Sequence, residues 1–202
     1  MRKRGVMQNN VILKSLLHPM LGVCLLLVGM MIVPQLAQAN AGMVIAAEQD
    51  GKIYVLFVQS HKHDDYEFPG GRQERAEDLL HSGHDLESLY ETAVRETVEE
   101  TRAYLGRQQL VSSSSNEQMI ELGKHTLFLA KLPFFELNAV KAIKIPKGKK
   151  WSPMREVVNY AWVDINLINQ AGLVETRDAK MIKLNPVAVD IIKLARLSRW
   201  FN

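Results

Sequence analysis

The sequence has almost no cysteine: Cys24 is the only one in 202 residues, and it sits inside an N-terminal apolar run. If that segment is removed, disulfides, thiolate zinc sites and cysteine nucleophiles are all excluded from the remainder. A strong net charge is missing too. The formal +3 arises from Arg2, Lys3, Arg4 and Lys14, in a stretch without acids; beyond it, 21 basic residues face 22 acidic ones. A domain so near neutrality has no global attraction for nucleic acid or an anionic membrane. Internal repeats and long low-complexity tracts are absent, which excludes a repeat architecture.

Nor is any apolar run long enough for a permanent membrane span. Met20 to Val33 is 14 residues, where a helix crossing a bilayer needs roughly 20. Basic Arg2-Lys3-Arg4 precedes the run, and Pro34 and Ala37-Gln38-Ala39 follow it, the order of charge, apolar core and small-residue site found in a secretory signal. The expectation is a signal peptide over 1–39, cut after Ala39, with no stable membrane anchor afterwards and a periplasmic or secreted product. The remaining residues, 40–202, suit one domain, since 202 residues at 47% hydrophobic composition support one core of ordinary size.

Met43 to Glu48 and Lys52 to Gln59 are β-rich runs separated by Gln49-Asp50-Gly51, which predicts a hairpin. Glu67-Phe68-Pro69-Gly70-Gly71 reads as a turn. From Leu86 to Thr101 the period becomes helical, with Tyr90, Ala93, Val94, Thr97, Val98 and Thr101 on one core-facing arc. Further strands are expected at Ala103 to Val111, His125 to Leu132 and Tyr160 to Asp164, with Ser112 to Ser115 as a flexible link. A last helix is expected from Pro186 to Trp200. Irregular interleaving of strands and helices points to an α/β fold, a mixed sheet sandwiched by helices.

The chemistry concentrates in Arg95-Glu96-Thr97-Val98-Glu99-Glu100. Glu96, Glu99 and Glu100, at i, i+3 and i+4, share a helix face separate from the apolar arc. Carboxylates so close repel one another unless a cation sits among them, and oxygen-only ligands suit a hard ion, Mg²⁺ or Mn²⁺. A solvated acidic face is the plainer alternative.

The whole segment resembles the Nudix box, G-x5-E-x7-R-E-U-x-E-E-x-G-U with U a bulky aliphatic residue. Gly71 and Glu77 match its opening, and Arg95 to Glu100 match its second half. The hairpin leading into Phe68-Pro69-Gly70-Gly71 and the stretch Glu156 to Val163 with its Trp162 extend the resemblance over about residues 43–170. Three departures stand out. Seventeen residues separate Glu77 from Arg95 where the family has seven, Thr97 takes the first U position, and Arg102 replaces the closing Gly. Glu87 keeps the seven-residue spacing to Arg95 but has His81 at the upstream glycine position, so Glu77 is preferred.

The resemblance implies a Nudix-like α/β/α sandwich with a mixed sheet that hydrolyses a diphosphate linkage in a nucleoside diphosphate joined to another moiety. It implies Mg²⁺ or Mn²⁺ on Glu96, Glu99 and Glu100, with the Gly70 carbonyl as a further ligand. Arg95 and Glu77 would brace the loop of Gly71 against the helix, and the general base would be Glu96 or one of Glu117, Glu121 and Glu136. An isomerase of the same fold would want a catalytic cysteine. A non-catalytic phosphate-binding module with a spoiled metal site is the competing class. The expected partner is a small nucleoside diphosphate derivative, with no nucleic acid duplex.

Outside the box, His61, His63, Asp64 and Asp65 read as a solvated loop, and His81 and His84 as surface residues of the insertion. The basic run of Lys141, Lys144, Lys147, Lys149 and Lys150 reads first as a solvated loop; its substrate-side alternative makes Lys147, Lys149 and Lys150 grips for extra phosphates. Phe134-Phe135 and Trp151 are core aromatics in the plain reading and base-stacking groups in the other.

Overall fold

Asp50 and Gly51 reverse the chain between β1 (Asn40–Gln49) and β2 (Lys52–Ser60). Both adopt left-handed backbone, with φ of 53° and 70°, as a two-residue hairpin turn requires. The computed structural model describes residues 39–73, 87–148 and 152–201. After β2 come β3 (Gly70–Arg72), α1 (Leu89–Glu100), α2 (Arg107–Ser113), β4 (Ser114–Leu122), β5 (His125–Lys131) and α3 (Leu137–Lys141). A 3-10 turn at Pro153–Arg155 leads to β6 (Val157–Asp164) and a second turn at Ile165–Leu167, then β7 (Leu173–Glu175), β8 (Met181–Lys183) and α4 (Pro186–Leu197).

The main sheet runs β4-β5-β1-β2-β6, with β3 on the early half of β1. It is mixed: β1 pairs with β5 in parallel and with β2 and β3 antiparallel. Alternation along the strands divides the core in two. Met43, Ile45, Leu56, Val58, Phe128 and Trp162 pack with Ala93 and Val94 of α1. On the other face Val44, Val55, Phe57, Leu129 and Val163 pack with Val189, Ile191 and Ile192 of α4. The fold is therefore the expected α/β sandwich, with helices on both faces of a mixed sheet.

Two expectations are corrected. No strand forms over Ala103 to Val111; a turn there leads into α2, in which only Leu110 is buried. Arg107-Gln108-Gln109 are good helix formers, and an element resting one residue on the core shows too little periodicity to read. Nor is Ser112 to Ser115 a free link: it closes α2 and opens β4.

The ends of α1 follow from named residues. Ser88 caps its start reciprocally with Glu91, a capping box. At its end Arg102 N–H donates to the Glu99 carbonyl at 3.0 Å and Ala103 N–H to that of Val98 at 2.7 Å, a Schellman closure. Arg102 thus takes the left-handed position, at φ 55°, where glycine is usual. Its guanidinium donates to the carbonyls of Lys141 and Val157, both at 3.3 Å, ties that offset the backbone cost.

Thr97, at the aliphatic box position, is fully buried, and among the described residues its hydroxyl has no partner. Since an unsatisfied buried hydroxyl costs stability while Val has nearly the same shape, Thr97→Val is expected to stabilise the chain by about 1 kcal/mol. A urea titration reads this as a higher midpoint; a lower midpoint would show that the hydroxyl is satisfied.

Candidate active site

Three glycines let the turn before α1 press against its neighbours. Gly70 sits beside Gly42 of β1, so close that a methyl on Gly70 would lie 2.6 Å from the Gly42 Cα. A methyl on Gly71 would lie 2.5 Å and 2.6 Å from the Glu96 carboxylate oxygens. Real Cβ atoms do not approach so closely, so a side chain at Gly70 would push the turn off β1 and one at Gly71 would move the Glu96 carboxylate from its present position. Gly70 N–H then donates to Glu100 Oε2 at 2.7 Å.

The carboxylates of α1 line a cleft of about 750 Å³. Burial pushes the Glu96 carboxyl up from the usual carboxylate range, although Arg95 pulls it back. Burial raises Glu100 well above that range, against the Gly70 hydrogen bond and with Glu96, Glu67 and Glu156 adding repulsion. Arg95 is the hub of the cluster. It donates to Glu87 at 3.1 Å, Glu96 at 2.8 Å and Glu99 at 3.5 Å. Burial works against its charge, but Glu87 and Glu96 outweigh it and hold the guanidinium protonated.

Among the described residues, Glu87 is the carboxylate from outside the helix that pairs with Arg95. Glu77 lies outside the described residues. Glu87 stands just before the Ser88 cap, its carbonyl accepts from the Gln73 side chain at 2.5 Å, and its Oε2 accepts from Thr92. About two helical turns separate Glu87 from Arg95, a distance that helix geometry holds constant, whereas a loop lengthens freely. The Glu87–Arg95 pair therefore has the seven-residue spacing of the box.

Oxygen donors on a helix, two of them raised by burial, have the chemistry to hold a hard divalent cation, and such a charge would relieve their repulsion. Glu96, Glu99, Glu100 and the neighbouring Gly70 backbone fit such an ion in kind. In their present rotamers they do not converge: Arg95 draws Glu96 and Glu99, while Glu100 faces Gly70 N–H. Among the described residues no three metal-ligating side chains are gathered closely enough to hold an ion.

The cleft brings in residues that sequence reasoning passed over. Glu67 enters from the β2–β3 loop and Glu156 from the turn before β6, where Lys62 holds it at 3.1 Å. Burial raises the Glu67 carboxyl, opposed by His63 and aided by Asp65. Arg72, Lys124 and His125 also line the cleft. Glu67 opens the recognised turn, Glu156 the recognised stretch to Val163 and His125 an expected strand, but none was read as a site residue; Arg72 and Lys124 carried no local signal. Conversely, Glu117 and Glu121 are exposed on β4, and Glu136 pairs with Arg177 at 3.2 Å in a separate small pocket. None of these three is among the cleft-lining residues. Lys147 is exposed and does not line the cleft either, because Arg155 holds the carbonyls of Pro146 and Gly148, both at 2.9 Å; Lys149, Lys150 and Trp151 lie outside the described residues. Phe134 and Phe135 pack on Trp162 at 5.1 Å and 5.0 Å between ring centroids, the core role.

Compared with known proteins, the chain matches the NUDIX domain over residues 36–184. No curated protein matches it. Among solved structures it is similar to a C. elegans Ap4A hydrolase binary complex, with 20% identity over 82% of this chain and 95% of that one, TM-score 0.44. It is similar to the NUDIX domain of Shewanella oneidensis NrtR complexed with ADP ribose, with 19% identity over 81% and 89%, TM-score 0.46. A third is a Francisella tularensis bifunctional NMN adenylyltransferase/ADP ribose pyrophosphatase complexed with AMP and a manganese ion, with 15% identity over 80% of this chain but 41% of that one, TM-score 0.47. Since the domain match takes in the sheet, the glycine turn and the carboxylate helix together, the chain belongs to the NUDIX domain family.

Proposed function

We propose that the protein is a pyrophosphohydrolase that needs Mg²⁺ or Mn²⁺ and cleaves the diphosphate linkage of a nucleoside diphosphate joined to another moiety. The observation that carries this reading is the crowding of Glu96, Glu99 and Glu100 on the wall of one cleft, two of them raised by burial. Family membership supports a hydrolase; the metal and the substrate belong to the proposal. Glu96, Glu99, Glu100 and Gly70 would hold the ion, whose charge offsets that of the diphosphate and lowers the pKa of a bound water. Arg95, tied to Glu87, sets the rotamers of Glu96 and Glu99 and releases them when a cation competes. Glu67 joins Glu96 as a candidate proton acceptor, because a carboxyl raised by burial is better matched to taking a proton near neutrality.

The grip of Arg95 on Glu96 and Glu99 favours one other reading, a phosphate-binding module that does no chemistry. Turnover separates the two. Purified chain with Mg²⁺ or Mn²⁺ is expected to release phosphate from a panel of nucleotide sugars, ADP-ribose, dinucleoside polyphosphates and dNTPs, and Glu99→Gln to lose at least about a hundredfold in kcat. No turnover on any substrate, with no calorimetric metal binding, leaves the binding module.

A second test uses stability. The Glu100 carboxyl is raised from its ordinary 4.5, so its stabilising contribution is full below that value and is lost as pH rises through the folded pKa. Metal-free Glu100→Gln, which cannot ionise, is therefore expected to melt higher than wild type at pH 8, with the gain shrinking toward pH 4. Equal melting temperatures at both pH values would show that Glu100 is not destabilised by burial.

Export is part of the same proposal: residues 1–39 act as a signal peptide, cut after Ala39, and the product is periplasmic or secreted. In the folded domain the Ala39 carbonyl accepts from Gln73 N–H at 3.0 Å and Asn40 N–H donates to the Lys124 carbonyl at 2.8 Å. A peptide bond paired on both sides resists a protease, which must bind it extended and unpaired, so the cut has to precede folding. Mass spectrometry of the exported protein is expected to find Asn40 at its N-terminus; a chain retaining residues before Ala37 would overturn this.

A further inference from the structure

The cleft continues past the α1 carboxylates to the opposite face of the sheet, and its character changes on the way. Along β3, Gly71 faces Glu96, so Arg72, the next residue, points to the other face. There Arg72 pairs with Asn40 of β1, and Asn40 pairs in turn with His125 of β5. Arg72, Asn40 and His125 therefore form one row across three adjacent strands, about 10 Å from end to end at two strand spacings. Lys124 adjoins the row, its carbonyl bonded to Asn40 N–H at 2.8 Å. All four residues line the cleft, and so do Leu127 and Ile191 beneath them. The acids of the cleft lie elsewhere: Glu96, Glu99 and Glu100 on α1, and Glu67 and Glu156 on the loops. Among the described residues neither Arg72 nor Lys124 has a carboxylate partner.

We propose that Arg72, Lys124 and His125, with the Asn40 amide between them, form an anion subsite that receives a phosphate of the substrate beyond the diphosphate being cut. Two cations and a carboxamide on one rim supply charge and N–H donors in the directions that phosphate oxygens accept. Leu127 and Ile191, buried side chains that line the same cleft, add apolar surface to it. The substrate class is a diphosphate with further phosphate, on the same phosphate chain or on the linked moiety. This deepens the pyrophosphohydrolase reading and rests on it for the word substrate; the anion subsite itself does not require turnover.

The test starts with binding. Calorimetry on the full chain without metal, with inorganic tripolyphosphate as probe, is expected to give an affinity about tenfold weaker in Arg72→Gln/Lys124→Gln than in wild type, with a shallower dependence on salt. Both side chains are exposed, so the melting temperature of the double variant is expected to match wild type. Unchanged affinity in the double variant, or no tripolyphosphate binding by wild type, overturns the subsite. Turnover with Mg²⁺ then distinguishes the sources. A nucleoside tetraphosphate, a nucleotide sugar bearing a phosphate on the sugar, and the plain nucleotide sugar are compared. The double variant is expected to raise KM about tenfold, with kcat unchanged, on whichever phosphate-bearing substrate uses the subsite, and to leave the plain nucleotide sugar unaffected. An equal rise on all three overturns the assignment. Binding that depends on Arg72 and Lys124 in a chain that hydrolyses none of them sinks the pyrophosphohydrolase reading and leaves the subsite standing.

Discussion

The hydrogen bond from Gly70 N–H to Glu100 Oε2, at 2.7 Å, joins the two halves of the candidate site. One half is a turn held to β1 by backbone contact at Gly42 and Gly70; the other is a helix whose carboxylates must reach that turn. A side chain at Gly70 would collide with the β1 backbone, and one at Gly71 would displace the Glu96 carboxylate. Everything the cleft offers depends on this approach: Glu96 lies over Gly71, Glu100 is withdrawn from water beneath Gly70, and Arg72, the next residue, is carried onto the other face. A backbone contact without side chains thus sets the distance between the carboxylate wall and the cationic rim.

That arrangement gathers like charge where solvent is scarce, and the remainder of the site manages the repulsion. Arg95 serves Glu87, Glu96 and Glu99 at once, while Lys62 holds Glu156. Among the described residues the Glu100 carboxyl accepts from the Gly70 N–H alone, and it is raised furthest above the ordinary range. Such a cluster costs stability where it stands, a conflict common at functional sites. The buried hydroxyl of Thr97 and the left-handed backbone of Arg102, both on α1 or its end, are smaller costs borne by the same helix.

Several elements were legible residue by residue. Asp50-Gly51 specifies its turn because few other pairs accept positive φ at both positions. The apolar arc of Ala93, Val94 and Thr97 marks the inner face of α1, and Pro186 marks the start of α4. Ala103 to Val111 misled because its apolar residues suit a strand, while the chain there is a turn that buries Leu105, followed by a short helix that reaches the core through Leu110. A loop and a helix count residues alike in sequence, but only the helix converts a count into a fixed distance, and the seven-residue spacing is the one that places Glu87 on Arg95.

Local order and the carboxylate face of α1 were decided by the sequence itself, because turn stereochemistry, helical period and the i, i+3, i+4 spacing of three glutamates act over a few residues. Which other groups share their cleft was decided by the tertiary structure alone. Glu67 and Glu156 meet Glu100 across a long sequence separation, and Arg72 aligns with His125 only because β1 lies between β3 and β5. Strand order follows from how the two apolar faces of the sheet are buried together, a property of the whole chain that leaves no mark on any single segment.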